Sequence, residues 1–361
     1  MSNKPRGTNP YAELENRAFW KTAVANKNLF SISDLWRPKF KIEPQHKVAT
    51  YGSCFAQHIG RSLRDRNYSW LITEKAPNGI SDEDSAAAGY GIFSSRTANI
   101  YTASLLKQWI SWADETINPP LEVWEQNGRF FDPFRPAIEH GGFESAEELR
   151  KLRRNTISCF RKSIAEADFF VFTMGLTESW FNVAGYEYPI CPGTVAGVFS
   201  PENHRFMNQD YDFISNAMRS SMEAAKKINP KLRFILTVSP VPLTATASDN
   251  HVLVATIESK SVLRAVAGKL SSERDDTDYF PSYEIINSAP FGGVFFEPNK
   301  RSVGVAGVQF VMDSFFKAVS ENASKQPEQP SKTVSTSVPA SASLIDHDAG
   351  CEEAMLEVYA R

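Results

Sequence analysis

The sequence predicts an α/β fold, a three-layer α/β/α sandwich built on a mostly parallel sheet. Three observations carry that expectation. The apolar runs KVATYG (47–52), ADFFVFTMG (167–175) and LRFILTVSP (232–240) each end at a glycine or a proline, as short strands buried on both faces do. Segments with helical spacing lie between them, as right-handed β–α–β units require. At 361 residues and 42% hydrophobic, the chain can bury one large core or two smaller ones.

The elements follow in order. Residues 1–46 are rich in proline and aromatic side chains, too aromatic for a disordered tail, and read as an arm packing across the main domain. That domain is expected over 47–320. After the first strand, Phe55, Ile59 and Leu63 share one face of a helix over 54–66. Helices are expected around 98–112 and at 145–166. A further one runs over 208–228, where Tyr211, Ile214, Met218, Ala225 and Ile228 keep helical spacing. Residues 258–271 form a helix, DYFPSYEII (278–286) a strand or edge segment, and 304–318 a closing helix. Residues 321–350, rich in Ser, Thr, Pro and Gln, read as a disordered linker. The end, 351–361, regains helix formers; it is either a frayed solvated tail or a short helix that docks on a protein partner.

A net charge of −3 gives no general push toward nucleic acid or anionic membrane. The four cysteines (Cys54, Cys159, Cys191, Cys351) form no CxxC pair, so reduced thiols in the cytoplasm are expected, with neither a zinc site nor a disulfide framework. Residues 1–30 lack the pattern of a signal peptide. No window approaches 18 uninterrupted apolar residues, so no membrane span is expected. No cluster of His, Asp and Glu has ligand spacing, and no metal is implied.

In open parallel sheets, ligands bind beyond the carboxyl ends of the strands. That rule singles out Gly52-Ser53-Cys54, Gly175-Leu176-Thr177-Glu178, and Ser239 with the loop leading to His251. Ser53 at a strand-to-helix turn could offer its hydroxyl as a nucleophile while the first N–H groups of the helix receive an oxyanion; the plainer alternative is a helix cap. Cys54 is either a buried core thiol or one activated by the helix N-terminus. Glu178 could orient a histidine or bind a substrate hydroxyl, or simply favour a helix dipole. Asp132 and Arg135 make a turn-stabilising salt bridge or bind an anionic substrate group. Lys260 and Arg264, one helical turn apart, suit a phosphate or carboxylate, or a solvated face.

Gly52-Ser53-Cys54-Phe55-Ala56 is the name-giving motif of the GSCFA family, grouped with the SGNH/GDSL hydrolases. NPYAELENRAFWKTAV (9–24), FFDPFRP (130–136), FTMGLTESW (172–180), LTVSPVPLTAT (236–246), ESKSVLRAVAG (258–268) and DYFPSYEII (278–286) resemble further blocks of that family, in its order, so the likeness spans about 9–320. It implies a flavodoxin-like sheet with Ser53 as nucleophile. The oxyanion contacts would be the Ser53 N–H, Gly175 with Thr177 in place of the usual asparagine, and Asn99 from SSRTANIYTASLL (94–106). Ala98 stands where the family tends to carry glycine, and Tyr101 lies in the same block. The Asp-x-x-His of SGNH hydrolases is replaced by Asn299-Lys300-Arg301-Ser302, so the base must come from elsewhere. Among six histidines, His251, with Asp249 nearby, is the first choice and His204 the second.

The expected activity is therefore that of an acyl-ester hydrolase or O-acyltransferase acting on a carbohydrate-like or small hydroxylated substrate. A transferase would draw its acyl group from a donor such as acetyl-CoA, although no residue demands that cofactor. Two other readings stand beside it: a non-catalytic module that binds a glycan or acyl group, and a scaffold whose tail docks on a protein.

Overall fold

A computed structural model describes residues 9–323 and 351–360. Four strands, β1 (Val48–Gly52), β4 (Phe169–Met174), β8 (Arg233–Val238) and β9 (Thr277–Tyr279), form an all-parallel sheet in the order β1-β4-β8-β9. Residues 69–71 pair with the free edge of β1 through a parallel bridge between Val48 and Trp70. Counting that segment, the order is that of a doubly wound, flavodoxin-like sheet.

The strands read as continuous apolar runs because both of their faces are covered. Phe170, Phe172 and Met174 of β4 point into one core with Tyr51, Phe234 and Leu236. Phe169 and Val171 alternate into the other with Val48 and Ile235, the period of two that strands impose. The first core is closed by α3 (Ala103–Ala113), α4 (Ala146–Glu166), α5 (Tyr211–Ile228) and α6 (Val252–Glu273). The second is closed by α1 (Ala56–Asp65), α7 (Ser282–Asn287) and α8 (Val305–Ala323). The arm adds Ile32, Trp36, Phe40 and Ile42 to the second core. Trp36 stacks on Phe315 with ring centroids 5.2 Å apart and donates to Asp278 at 3.2 Å.

Several expectations are corrected. Residues 282–287, read as strand from their aromatic and isoleucine content, form α7 directly after Pro281. The helix expected over 258–271 begins earlier, at Val252. A short helix α2 (Asp82–Ala87), a hairpin of β2 (Trp124–Gln126) and β3 (Arg129–Phe131), and a three-stranded antiparallel sheet of β5 (Glu178–Asn182), β6 (Glu187–Tyr188) and β7 (His204–Asn208) complete the fold. That small sheet stands beyond the carboxyl end of β4. Glu178 therefore opens a strand, not a helix. The linker expected over 321–350 lies outside the described residues except at 321–323, where α8 ends.

Candidate active site

The site begins at the turn after β1. Gly52 holds φ +133, and a Cβ there would lie 2.3 Å from the Thr173 carbonyl oxygen, so only glycine lets β1 run this close to β4. The Ser53 N–H continues the ladder by donating to Thr173 O at 3.0 Å. Phe55, not Ser53, is the N-cap of α1, and no side chain caps that helix. The Ser53 hydroxyl is buried and has no hydrogen-bond partner among the described residues. Opposite it stands Gly175, where a Cβ would meet the Ser53 Cβ at 3.0 Å. The Gly175 N–H donates to Tyr101 O at 2.8 Å.

The two backbone donors expected at an oxyanion are thus both committed to backbone carbonyls, that of Ser53 by extension of the β1–β4 pairing and that of Gly175 by the loop before α3. Thr177 is committed as well. Its hydroxyl donates to Asn208 Oδ1 at 2.6 Å and its N–H to Ser259 Oγ at 3.1 Å. Glu178 accepts from the Thr246 hydroxyl and from the Ala247 N–H at 3.0 Å, pinning the loop after β8; burial raises its pKa. Arg135 is fully buried, paired with Asp132 at 2.9 Å. It donates to Arg96 O at 3.1 Å and to Thr156 Oγ1 at 2.7 Å, so it anchors the segment ahead of Asn99.

The structure does not bring His251 to Ser53. His251 is the exposed N-cap of α6, where its Nδ1 accepts from the Leu253 N–H at 3.2 Å. That position is about 13 Å up the helix axis from Lys260, at 1.5 Å per residue. His204 lies on β7, its Nδ1 accepting from the Ser200 N–H at 3.1 Å. The residue of α6 that does reach the site is Lys260. It is 2% exposed, and its Nζ donates to the Gly175 carbonyl at 2.5 Å. Burial lowers its pKa to about 8, against the pull of Glu353. Arg264, one turn on, leaves the site to pair with Glu284 and cover the Tyr279 ring.

Asn99 and Tyr101 do converge, and on an unexpected partner. Residues 351–360 lie across the site, with a 3-10 helix over Glu352–Tyr359. The Glu352 carboxylate accepts from the Asn99 side-chain amide, from the Asn99 N–H, and from the Tyr101 hydroxyl at 3.0 Å. Glu353 accepts from the Thr244 N–H at 2.7 Å and pairs with Arg301 at 3.7 Å. Burial raises the pKa of both glutamates. The Cys54 and Cys351 thiols, both buried, hydrogen-bond each other. That bond keeps Cys54 protonated and makes Cys351 the more acidic of the two.

Arg301 comes from the stretch Asn299-Lys300-Arg301-Ser302. Asn299 folds it into a tight turn, its Oδ1 accepting from the N–H groups of Arg301 and Ser302 at 2.9 Å each. Beside the site, a cavity of about 630 Å3 is walled by Leu176, Trp180, Ile190, Phe199 and Leu243, with Leu356 and Tyr359 of the terminal segment closing one side. A second cavity, of about 600 Å3, includes Ala98, Asn99, Cys351 and Glu352 in its wall.

The GSCFA family model matches residues 47–315. The chain belongs to the GSCFA family. A similar solved structure is that of a protein named as a GDSL-like lipase from Parabacteroides merdae, at 13% identity over 78% of this chain and 99% of that one, with a TM-score of 0.33. No curated protein matches the chain. Within this GSCFA domain, sequence reasoning located Ser53, Asn99, Tyr101 and Gly175 but left Lys260 on a solvated face as its commoner reading, and missed Arg301 and the glutamate pair. The available signal for the last was the Glu-Glu pair of a terminal segment that carries no basic residue before Arg361. Among the described residues, no helix is long and apolar enough to cross a membrane.

Proposed function

We propose that the chain performs acyl-ester chemistry through Ser53, as an ester hydrolase or O-acyltransferase for a carbohydrate-like or small hydroxylated substrate. One observation supports this most: at the carboxyl end of a parallel sheet stands a buried hydroxyl without a hydrogen-bond partner among the described residues, packed with Gly175 against Tyr101, two residues on from Asn99. Those two donors already hold a carboxylate oxygen, the side-chain group most like the oxyanion of acyl transfer.

In this reading Lys260 is the base in place of His251. A neutral Lys260 amine, turned from the Gly175 carbonyl, takes the Ser53 proton as Oγ bonds to the ester carbon. The carbonyl electron pair moves onto oxygen, held by the Asn99 amide and the Tyr101 hydroxyl. Collapse expels the alcohol, which takes the proton from Lys260. Water or an acceptor hydroxyl then removes the acyl group by the reverse steps.

Fluorophosphonate labelling and turnover of aryl esters test this. Ser53→Ala should abolish both, and labelling that persists in that variant ends the reading. Lys260→Met should lower turnover by roughly two to four orders of magnitude, the range of a general base, and remove a rising pH limb centred near 8. His251→Ala should change turnover less than about threefold; a hundredfold loss there returns the base to His251. A binding module without turnover is the second reading. It is favoured by the committed N–H groups of Ser53 and Gly175 and by the Asn299–Ser302 turn. A protein that stays unlabelled even with residues 351–360 displaced, yet still binds an acyl or glycan ligand, would select it.

A further inference from the structure

Residues 351–360 carry three carboxylates, Glu352, Glu353 and Glu357, and no basic side chain. They meet a site whose buried cations are Lys260 and Arg301. Each of the first three residues has its own seat. Cys351 is 5% exposed, against the Cys54 thiol and 3.7 Å from the Tyr101 hydroxyl. Glu352 is 2% exposed in the cradle of Asn99 and Tyr101. The Glu353 side chain, 12% exposed, bridges Arg301 and the Thr244 N–H. Beyond them, Leu356 and Tyr359 close the larger cavity, and the Tyr359 hydroxyl donates to Gly193 O at 3.3 Å.

Two buried carboxylates are costly unless donors and cations are already in place. Here they are, and they come from elements far apart in the chain: the loop before α3, the loop after β8, and the turn before α8. A seat so specific for an acidic peptide is more than incidental coverage of a surface.

We propose that this pocket is a binding site for an acidic Cys-Glu-Glu peptide, filled in cis by the chain's own terminus, and that the terminus bars access to Ser53 until it is displaced. Arg301 is the specificity residue of that site: standing where an SGNH hydrolase would carry its acid–base turn, it reads the second glutamate. Occupancy of the pocket is independent of any reaction. Only the consequence for substrate entry rests on the serine reading above.

The full-length protein tests both parts. Oxidised glutathione should convert the two native thiols to a Cys54–Cys351 disulfide, with two molecules of reduced glutathione carrying away the thiol protons and electrons. Peptide mass mapping should find this link in the wild type. In the full-length double variant Glu352→Ala/Glu353→Ala, its rate of formation should fall at least tenfold, while fluorophosphonate labelling of Ser53 rises at least tenfold. A synthetic CEEAMLEVYA peptide added to the double variant should slow labelling again, and the Glu-to-Ala version of that peptide should not.

Failure of the disulfide to form in the wild type, or its equal formation in both proteins, overturns the seat whatever the activity. Formation of the link with equal labelling rates overturns the barrier. Formation that falls in the variant, with no labelling in either protein, upholds the peptide site and defeats the serine reading alone. Because the substituted residues lie outside both hydrophobic cores, the double variant should keep its Tm within a few degrees. If it unfolds instead, the conservative double variant Glu352→Gln/Glu353→Gln takes its place in every comparison, the peptide competition included.

Discussion

A single methyl group at position 98 sits on a backbone that disfavours it. Ala98 holds φ +56, in the left-handed region that costs an L residue roughly 1–2 kcal/mol. The strain falls next to Asn99, whose amide and N–H it aims at Glu352. Ala98→Gly should therefore stabilise the fold by roughly 0.5–1 kcal/mol, because the relief outweighs the added chain entropy. Calorimetry should show a rise in Tm of about 1–3 °C; an unchanged or lower Tm would put the strain elsewhere. At this scale Ser53 was legible, because the rule of strand ends points at it, and Asn99 was legible through the family blocks. Thr177 was not, since the partner that occupies its hydroxyl, Asn208, arrives from β7 by pairing that no local pattern announces. Lys260 was misjudged for a different reason. A lysine on a long helix reads as solvated, and only the fold shows that this one ends on a buried carbonyl.

Among the elements, the small antiparallel sheet carries a titration of its own. Glu187 on β6 is 1% exposed, accepts from the Thr102 hydroxyl at the cap of α3, and has its pKa raised by burial to about 7. Its carboxyl is thus more easily protonated in the folded chain than in the unfolded one. The stability it contributes is full below about pH 4.5 and is lost as pH rises through 7. The total is on the order of 3 kcal/mol, at 1.36 kcal/mol per unit. Urea titrations from pH 4.5 to 8 should show wild-type stability falling by about that amount relative to Glu187→Gln, which keeps the acceptor and cannot ionise. Parallel curves would mean that Glu187 is charged in the fold. The strands of the parallel sheet could be read from the sequence because burial on both faces makes them unbroken apolar runs. β5, β6 and β7 could not: they are two to five residues long, with mixed polarity. α7 was mistaken for strand because Tyr283, Ile285 and Ile286 are equally at home in both states, and only its capping by Pro281 separates them.

Over the whole molecule, one buried ion network ties the first core to the site. Asp132 bridges Arg135 at 2.9 Å and Arg153 of α4 at 2.8 Å, all three nearly inaccessible to water. Burial alone would raise the Asp132 pKa; Arg153 and Arg135 together hold it below the usual carboxylate range. Asp132→Asn leaves two buried guanidinium groups with a neutral partner and should cost about 3–5 kcal/mol in chemical denaturation. A loss under about 1 kcal/mol would show that water compensates them. The layered architecture was legible at this scale, because alternating strands and helices leave few topologies. The resting place of the terminus was not, since it depends on three loops meeting in space. That resting place makes the larger cavity a joint product of domain and terminus, with Leu356 and Tyr359 supplying part of its wall. A ligand that fills this chamber and touches that wall must tighten the terminus, and a ligand that needs Ser53 must loosen it. The two classes are therefore bound to antagonise each other, by the same factor in either direction, through a coupling that neither makes directly.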